Sequence, residues 1–450
     1  MCLIREAIHH SISRRKFLKA AGSLAAAPFL AGLGGSALAA SSPSVITRAG
    51  ASKYNTHVVL LGTAGGPSWW PNCDRVSAST AVVVGDDIYL IDLGHGSTHR
   101  LAQAFNSGIF VNTGSGRVEN GYPTYLRNVK ALFLTHLHQD HTADYPTILT
   151  VGYGAGFGVD PKNPKSLRPV KVFGPGERGQ LEDFVLKDVP GSVYPNIIYT
   201  DSGNSNPGTR EMTKYLWQAF AQTINNFTLD DGWPDFRSLV DLYDIGWTSG
   251  SDIMIPFPSG TYDPNDPCTV FKDPNATPCP PIPAFPIYPN ANDANAVDEN
   301  GVKVKATLVN HHQVFPSFAF RFDTPDGSVV ISGDTGPNTC DNLQNLAQGA
   351  DVLIHEVIDE AWIDLTFGDA QQGTRAYALK THLQNSHTTI DLVGQVAEKA
   401  GVKALVLNHI VPGNTPISHL RQAKKNFYGE LIIGTDLMQI GIGKARRRKG

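Results

Sequence analysis

The sequence predicts an α/β fold in which two strand–helix layers enclose a shared core. Short β-branched and apolar runs crowd the stretch 57–134, and from 303 onward such runs alternate with segments of helical spacing. The hydrophobic fraction is the third observation. At 41% of 450 residues it fills a full core, in one large domain or two ordinary ones.

Along the chain, 57–62 reads as the first strand and is followed by a Gly/Pro-rich loop to Arg75. Residues 80–84 and 87–93 read as two strands joined by a Gly85-Asp86-Asp87 turn. The run 129–134 ends at a cluster of histidines. Between 152 and 302 the pattern changes, with one short strand at 170–173, one helix around 210–225 and a Pro/Asn/Asp-rich stretch over 257–300. Structureless chain of that length is unusual inside a compact domain, so 152–302 is expected to be a loop-rich insertion. Strands return at 303–308, 319–322 and 328–332. Thr388-Thr389-Ile390-Asp391 has a capping-box pattern, Val393, Val396, Ala397 and Ala400 recur at helical spacing, and Gly401 stands where a C-cap glycine belongs. The strand 403–407 then leads to His409. No internal repeat with a period of 20–50 residues is visible.

The first 39 residues read as an export signal. Ser13-Arg14-Arg15-Lys16-Phe17-Leu18-Lys19 precedes a weakly apolar stretch, and Ala37-Leu38-Ala39 offers a cleavage site. Paired arginines in that setting predict twin-arginine translocation to the periplasm or the medium. Such proteins cross the membrane folded, so a metal site would be filled beforehand. Residues 40–450 would then form one catalytic domain. Beyond the N-terminus no apolar run reaches the ~20 residues that span a membrane, so no membrane association is expected after signal removal.

Without the signal, 32 Lys/Arg stand against 40 Asp/Glu, a formal charge near −8. An acidic surface repels phosphate backbones, so no nucleic-acid partner is expected; a homodimer stays open. The basic tail 444–449 reads as a solvated end. Cys73, Cys268, Cys279 and Cys340 show no C-x-x-C spacing, which speaks against a thiolate metal site. Cys268 and Cys279 flank a short loop and either pair in an oxidising compartment or remain free thiols.

The strongest chemical signal is Thr135-His136-Leu137-His138-Gln139-Asp140-His141. It follows a strand, so the backbone begins extended and residues two apart face one side. His136 and His138 can therefore grip one ion together. As the chain turns, Asp140 and His141 are offset and can face a second position. Imidazole and carboxylate ligands without thiolate suit zinc, with manganese or iron as alternatives.

The pattern His136-x-His138-x-Asp140-His141 resembles the signature of the metallo-β-lactamase superfamily. Leu60-Leu61-Gly62-Thr63-Ala64-Gly65-Gly66-Pro67, Leu90-Ile91-Asp92-Leu93-Gly94 and Ile331-Ser332-Gly333-Asp334-Thr335 resemble its branch containing ribonuclease Z and the arylsulfatase-type hydrolases. So do Leu353-Ile354-His355-Glu356 and the run 387–409. The likeness spans about 57–150 and 303–440. It implies an αββα sandwich holding two metal ions. Asp334 would bridge both, and a bridging Asp argues against a true β-lactamase, where a Cys is common. The resemblance makes His311 the third histidine of the first metal and His409 the last ligand of the second. His312 adjoins His311; the spacing to Val314-x-Pro316 and Arg321 favours His311. Asp92 would orient a ligand from behind.

The same resemblance gives Glu356 and His387 the task of protonating a leaving group, and histidine titrates in the range that job needs. The implied reaction is hydrolysis of a small ester, an aryl sulfate or a phosphodiester, by hydroxide formed at the two metals and oriented by Asp140. A lactonase or a non-catalytic metal-binding module of the same fold are the alternatives. Trp69 and Trp70, in the loop after the first strand, either stack on an aromatic leaving group or fill a hydrophobic corner.

Overall fold

A computed structural model describes residues 45–47, 53–66, 69–105, 111–112, 118–119, 124–181, 184–258, 282–337 and 340–445. The expected export signal, Cys268, Cys279 and the end of the basic tail lie outside the described residues. The first half contains β1 (Val45–Thr47), β2 (Tyr54–Gly62), β3 (Ser79–Val84), β4 (Asp87–Ile91), β5 (Val111–Asn112), β6 (Val118–Glu119) and β7 (Val129–Phe133). Then come β8 (Val170–Pro175), β9 (Val240–Gly246), β10 (Ile253–Met254) and β11 (Phe285–Tyr288). The remainder holds β12 (Lys303–Leu308), β13 (Phe318–Thr324), β14 (Gly327–Ile331), β15 (Val352–Ile358), β16 (Ala404–Val411), β17 (Glu430–Ile433) and β18 (Gln439–Ala445). The helices used below are α1 (Gln139–Thr142), α2 (Tyr145–Val151), α3 (Thr209–Ala219), α4 (Ala221–Asp230), α5 (Asn342–Leu346), α6 (Glu360–Phe367), α7 (Arg375–Ser386) and α8 (Ile390–Ala400).

Two sheets dominate. One runs β1-β18-β2-β3-β4-β7-β8-β9-β10 and the other β11-β12-β13-β14-β15-β16-β17. Alternation along β2 shows how they stack: Val58 and Leu60 enter the core between the sheets, while Val59 and Leu61 face the opposite side. There they meet Tyr145 and Ile148 of α2, with Met212 and Leu216 of α3 packed against the same cluster. The outer face of the second sheet, with Leu353, Leu405 and Leu407, is covered by Leu343 and Leu346 of α5 and by Val393 and Ala397 of α8. Helix, sheet, sheet, helix is the αββα order. Strands covered on both faces must be apolar throughout, which is why these runs stood out in the sequence. Each fully buried Leu or Val contributes roughly 1.5–3 kcal/mol. Aromatic rings lock the centre: Phe133 stacks on Phe173 at 5.2 Å and meets Phe322 edge-on at 5.2 Å.

Several expectations change. The stretch 152–302 was expected to be a loop-rich insertion with one short strand at 170–173; that strand is β8, but β9 and β10 also extend the first sheet and β11 opens the second. β9 carries exposed or half-buried Asp241, Leu242, Tyr243 and Asp244, and β11 carries Pro286 at a sheet edge, where proline is tolerated. The aspartates of β9 break its apolar run, and Pro286 interrupts the short apolar run of β11. The helix expected around 210–225 is two helices, broken at Phe220. Gly401 does close α8 in a left-handed conformation, with φ 63°. The capping box differs: the Thr389 hydroxyl donates to the Asp391 carboxylate at 2.6 Å, and the Thr388 N–H is used elsewhere. Cys340 is disulfide-bonded and Cys73 is free.

β4 runs parallel to β7, and β14, β15 and β16 run parallel to one another, an arrangement in which ligand sites gather at the C-terminal strand ends. Asp92, His136, Asp334, Glu356 and His409 all lie at those ends. Among the described residues no helix is long and apolar enough to cross a membrane.

Candidate metal centre

After β7 the chain stays extended as far as His138, whose φ and ψ are −63° and 152°, and then turns into α1. His136 and His138 thus share one side, while Asp140 and His141 lie in the first turn of the helix. The His136 ring centre lies 4.7 Å from that of His138 and 4.7 Å from that of His311. His311 Nε2 approaches His138 Nδ1 to 3.4 Å. These three form one cluster whose ligand atoms lie within 4.8 Å of one another; Asp140, His141, Asp334 and His409 form a second.

Asp334 stands between them. Its Oδ2 is 3.8 Å from His136 Nε2 and 3.8 Å from His311 Nε2. Its Oδ1 is 3.3 Å from His141 Nε2 and 3.2 Å from His409 Nε2. Asp140 Oδ2 lies 3.3 Å from His409 Nε2 and accepts from the Gly66 N–H at 2.8 Å.

The donor set fits cations. His136 Nε2, His141 Nε2 and Asp334 Oδ1 are buried without a hydrogen-bond partner, a costly state that a bound ion relieves. The other ring nitrogens are held from behind. His141 Nδ1 contacts Asp92 at 2.9 Å, His136 Nδ1 contacts the Thr135 hydroxyl at 3.1 Å, and His311 Nδ1 donates to the Ser386 carbonyl at 3.0 Å. Asp92 also accepts from the Thr135 N–H at 2.8 Å, which fixes the start of the motif. Burial pushes His136 and His311 well below the usual imidazole range, so each presents a neutral ring. Burial alone would raise Asp334; His409 and His141 outweigh it and hold the carboxylate well below its ordinary range.

Backbone strain gathers here. His409 sits where β16 slips register against β15, with φ 40°, and Asp92 has φ 57°. Gly65 lets the His409 ring approach: a Cβ there would fall 2.2 Å from it.

Glu356 and His387 adjoin the second cluster. His387 Nδ1 meets Glu356 Oε2 at 3.1 Å, and the Thr388 N–H donates to Oε1 at 2.6 Å. Burial would lower His387, but the Glu356 charge prevails and raises it above the ordinary imidazole range. His387 also lies within 4.8 Å of ligand atoms on His311 and Asp334.

All nine sequence-nominated residues, His136, His138, Asp140, His141, His311, Asp334, Glu356, His387 and His409, therefore converge on one place. His312 belongs to neither cluster and meets His382 edge-on, with ring centres 5.9 Å apart. Arg321 bonds Asp323 and the Leu346 and Gln348 carbonyls, away from the site. Trp70 donates to the Gly65 carbonyl and packs edge-on against Trp362, filling a corner, whereas Trp69 is 77% exposed. The sequence reading missed His382, on α7 beside the clusters. Burial, then neighbouring His387, push it down to about 4, so its ring is neutral at ordinary pH. A histidine on a polar helix gives no signal of such a position.

No family model matches the chain. Curated relatives do. The ribonuclease Z of Mycobacterium bovis (strain BCG / Pasteur 1173P2) is 25% identical over 394 residues, covering 86% of this chain and 99% of that protein. The ribonuclease Z of Mycobacterium sp. (strain KMS) is 26% identical over 388 residues, covering 86% and 95%. Among solved structures, the short form of human tRNase Z aligns with TM-score 0.47 and 16% identity, covering 86% of this chain and all of that one. The metallo-β-lactamase fold protein YhfI from Bacillus subtilis aligns with TM-score 0.43 and 16% identity, covering 85% and 98%. The relatives overturn one expectation. Net charge argued against a nucleic-acid partner, yet the chain aligns across nearly the whole of proteins that act, by name, on RNA. A whole-molecule charge averages over surfaces that never meet substrate, while the field at a cation site is set locally.

Proposed function

We propose that this chain is an exported, dinuclear metal-dependent phosphodiesterase of the ribonuclease Z-like branch of the metallo-β-lactamase superfamily. One observation carries the reading: Asp334 turns one oxygen toward His136 and His311 and the other toward His141 and His409. A carboxylate so divided suits two ions. The similarity to ribonuclease Z supports a phosphodiester as substrate and keeps RNA among the candidates.

His136, His138, His311 and Asp334 would hold one ion; Asp140, His141, His409 and Asp334 the other. Nitrogen and carboxylate donors favour zinc, and accept manganese or iron. Two such ions supply an acidified water and positive charge against the phosphate oxygens. Asp140, fixed by the Gly66 N–H, accepts a hydrogen bond from the attacking water and aims it at phosphorus. His387 donates its proton to the leaving oxygen as the phosphorus–oxygen bond breaks, and Glu356 stabilises the imidazolium until then. Buried surroundings strengthen each of these interactions.

The test is a panel of bis-aryl phosphodiester, short RNA, aryl sulfate and lactone, given to purified residues 40–450 and to Asp334→Ala. Phosphodiester or RNA cleavage that vanishes in the variant is the expected result. Turnover confined to the sulfate or the lactone contradicts the proposal.

A further inference from the structure

Beside the metal-ligand clusters lies a cavity of about 620 Å³, within the size range of small-molecule sites. Its outer wall comes from the segment 181–197, through Leu181, Phe184, Tyr194 and Ile197, and from Leu379 of α7. His312, Gln313 and His382 form its inner end. His382 links that end to the site, since its ring meets that of His311 edge-on with centres 6.0 Å apart.

The wall is unusual for an exterior. Tyr194 is 57% exposed, Val185 68% and Leu379 46%, although all three line the same hollow. Apolar side chains gathered at a concave surface mark binding rather than chance exposure. Phe184 and Tyr194 meet edge-to-face at 5.3 Å, which ties this wall to itself. Lys187 and Asp188 contribute one charge of each sign, so the lining has no net charge.

The residues that His382 touches identify what the cavity holds. His382 shares α7 with Ser386, whose hydroxyl it meets at 3.1 Å, and the next residue is His387. The His382 end of the cavity is therefore one side-chain contact and one residue removed from the group assigned to protonate the leaving oxygen. We infer that it binds an apolar leaving group, an aryl ring or alkyl chain carried on the departing oxygen. The inference rests on the hydrolase reading for the term leaving group, but the pocket itself is testable without turnover.

The experiment uses phosphodiesters whose leaving group is a para-alkylphenol, from methyl to butyl, because the alkyl length hardly alters phenol acidity. In the wild type kcat/KM rises about twofold to fourfold per added methylene, as for apolar surface leaving water. Tyr194→Ser with Leu379→Ser flattens that rise; both side chains are half-exposed, so folding is preserved. A wild type indifferent to chain length, or a double variant as steep as wild type, overturns the inference. Calorimetric titration with para-butylphenol separates this from failure of the reaction itself. Binding weakened about tenfold in the double variant supports the pocket even if no ester is cleaved; absence of binding to wild type overturns it.

Discussion

The His387–Glu356 pair is where single residues decide the chemistry. An imidazole buried alone would lose its proton early; the Glu356 carboxylate at 3.1 Å reverses that and raises its pKa. The acid form is therefore loaded through neutrality, and rate falls as pH rises through the raised value. Glu356→Gln removes the anion, so the alkaline limb should move to lower pH while metal content stays the same. His387→Ala should slow substrates with basic leaving groups by about 10²–10⁴-fold and barely affect nitrophenoxide, which departs unaided. Equal slowing of both classes, with an unmoved limb in Glu356→Gln, would assign the pair to substrate positioning instead.

At the scale of elements, legibility follows burial. β2, β3, β4, β7 and β16 are covered on both faces, so their sequences are continuous apolar runs that could be read directly. α8 was legible because Val393, Ala397 and Ala400 form a buried stripe and Gly401 ends it. α7 was not: its only buried residue is Ser386, so no apolar period exists to detect. β8 was legible as the run 170–173, whereas the half-exposed aspartates of β9 and the proline of β11 hid those two strands. The N-terminal segment is argued from sequence alone. Its paired arginines precede an apolar stretch and a small-residue cleavage site, and we propose that it is a twin-arginine signal. Fractionation of cells carrying Arg14→Lys with Arg15→Lys should find the precursor in the cytoplasm; normal export of that variant would refute the signal.

The molecule as a whole assembles its centre from chain segments more than 270 residues apart, and this limits what a sequence can disclose. His136, His138, Asp140 and His141 were legible because a strand end and one helical turn place them locally. Asp334, His311 and His409 were named through a resemblance, because their nearness exists only after two sheets stack. The choice between His311 and His312 is likewise settled in space: one faces His138 at 3.4 Å, the other turns toward His382. Whole-molecule charge misled for the converse reason, as a sum that ignores place. The central claim is that Asp334 joins two ion sites, and metal analysis of the purified domain tests it most directly. Inductively coupled plasma analysis, after dialysis against trace zinc, should give close to two equivalents per chain. In Asp334→Ala, which removes the carboxylate proposed to serve both ion sites, the content should fall below one. Wild-type protein that never exceeds one equivalent would contradict the account.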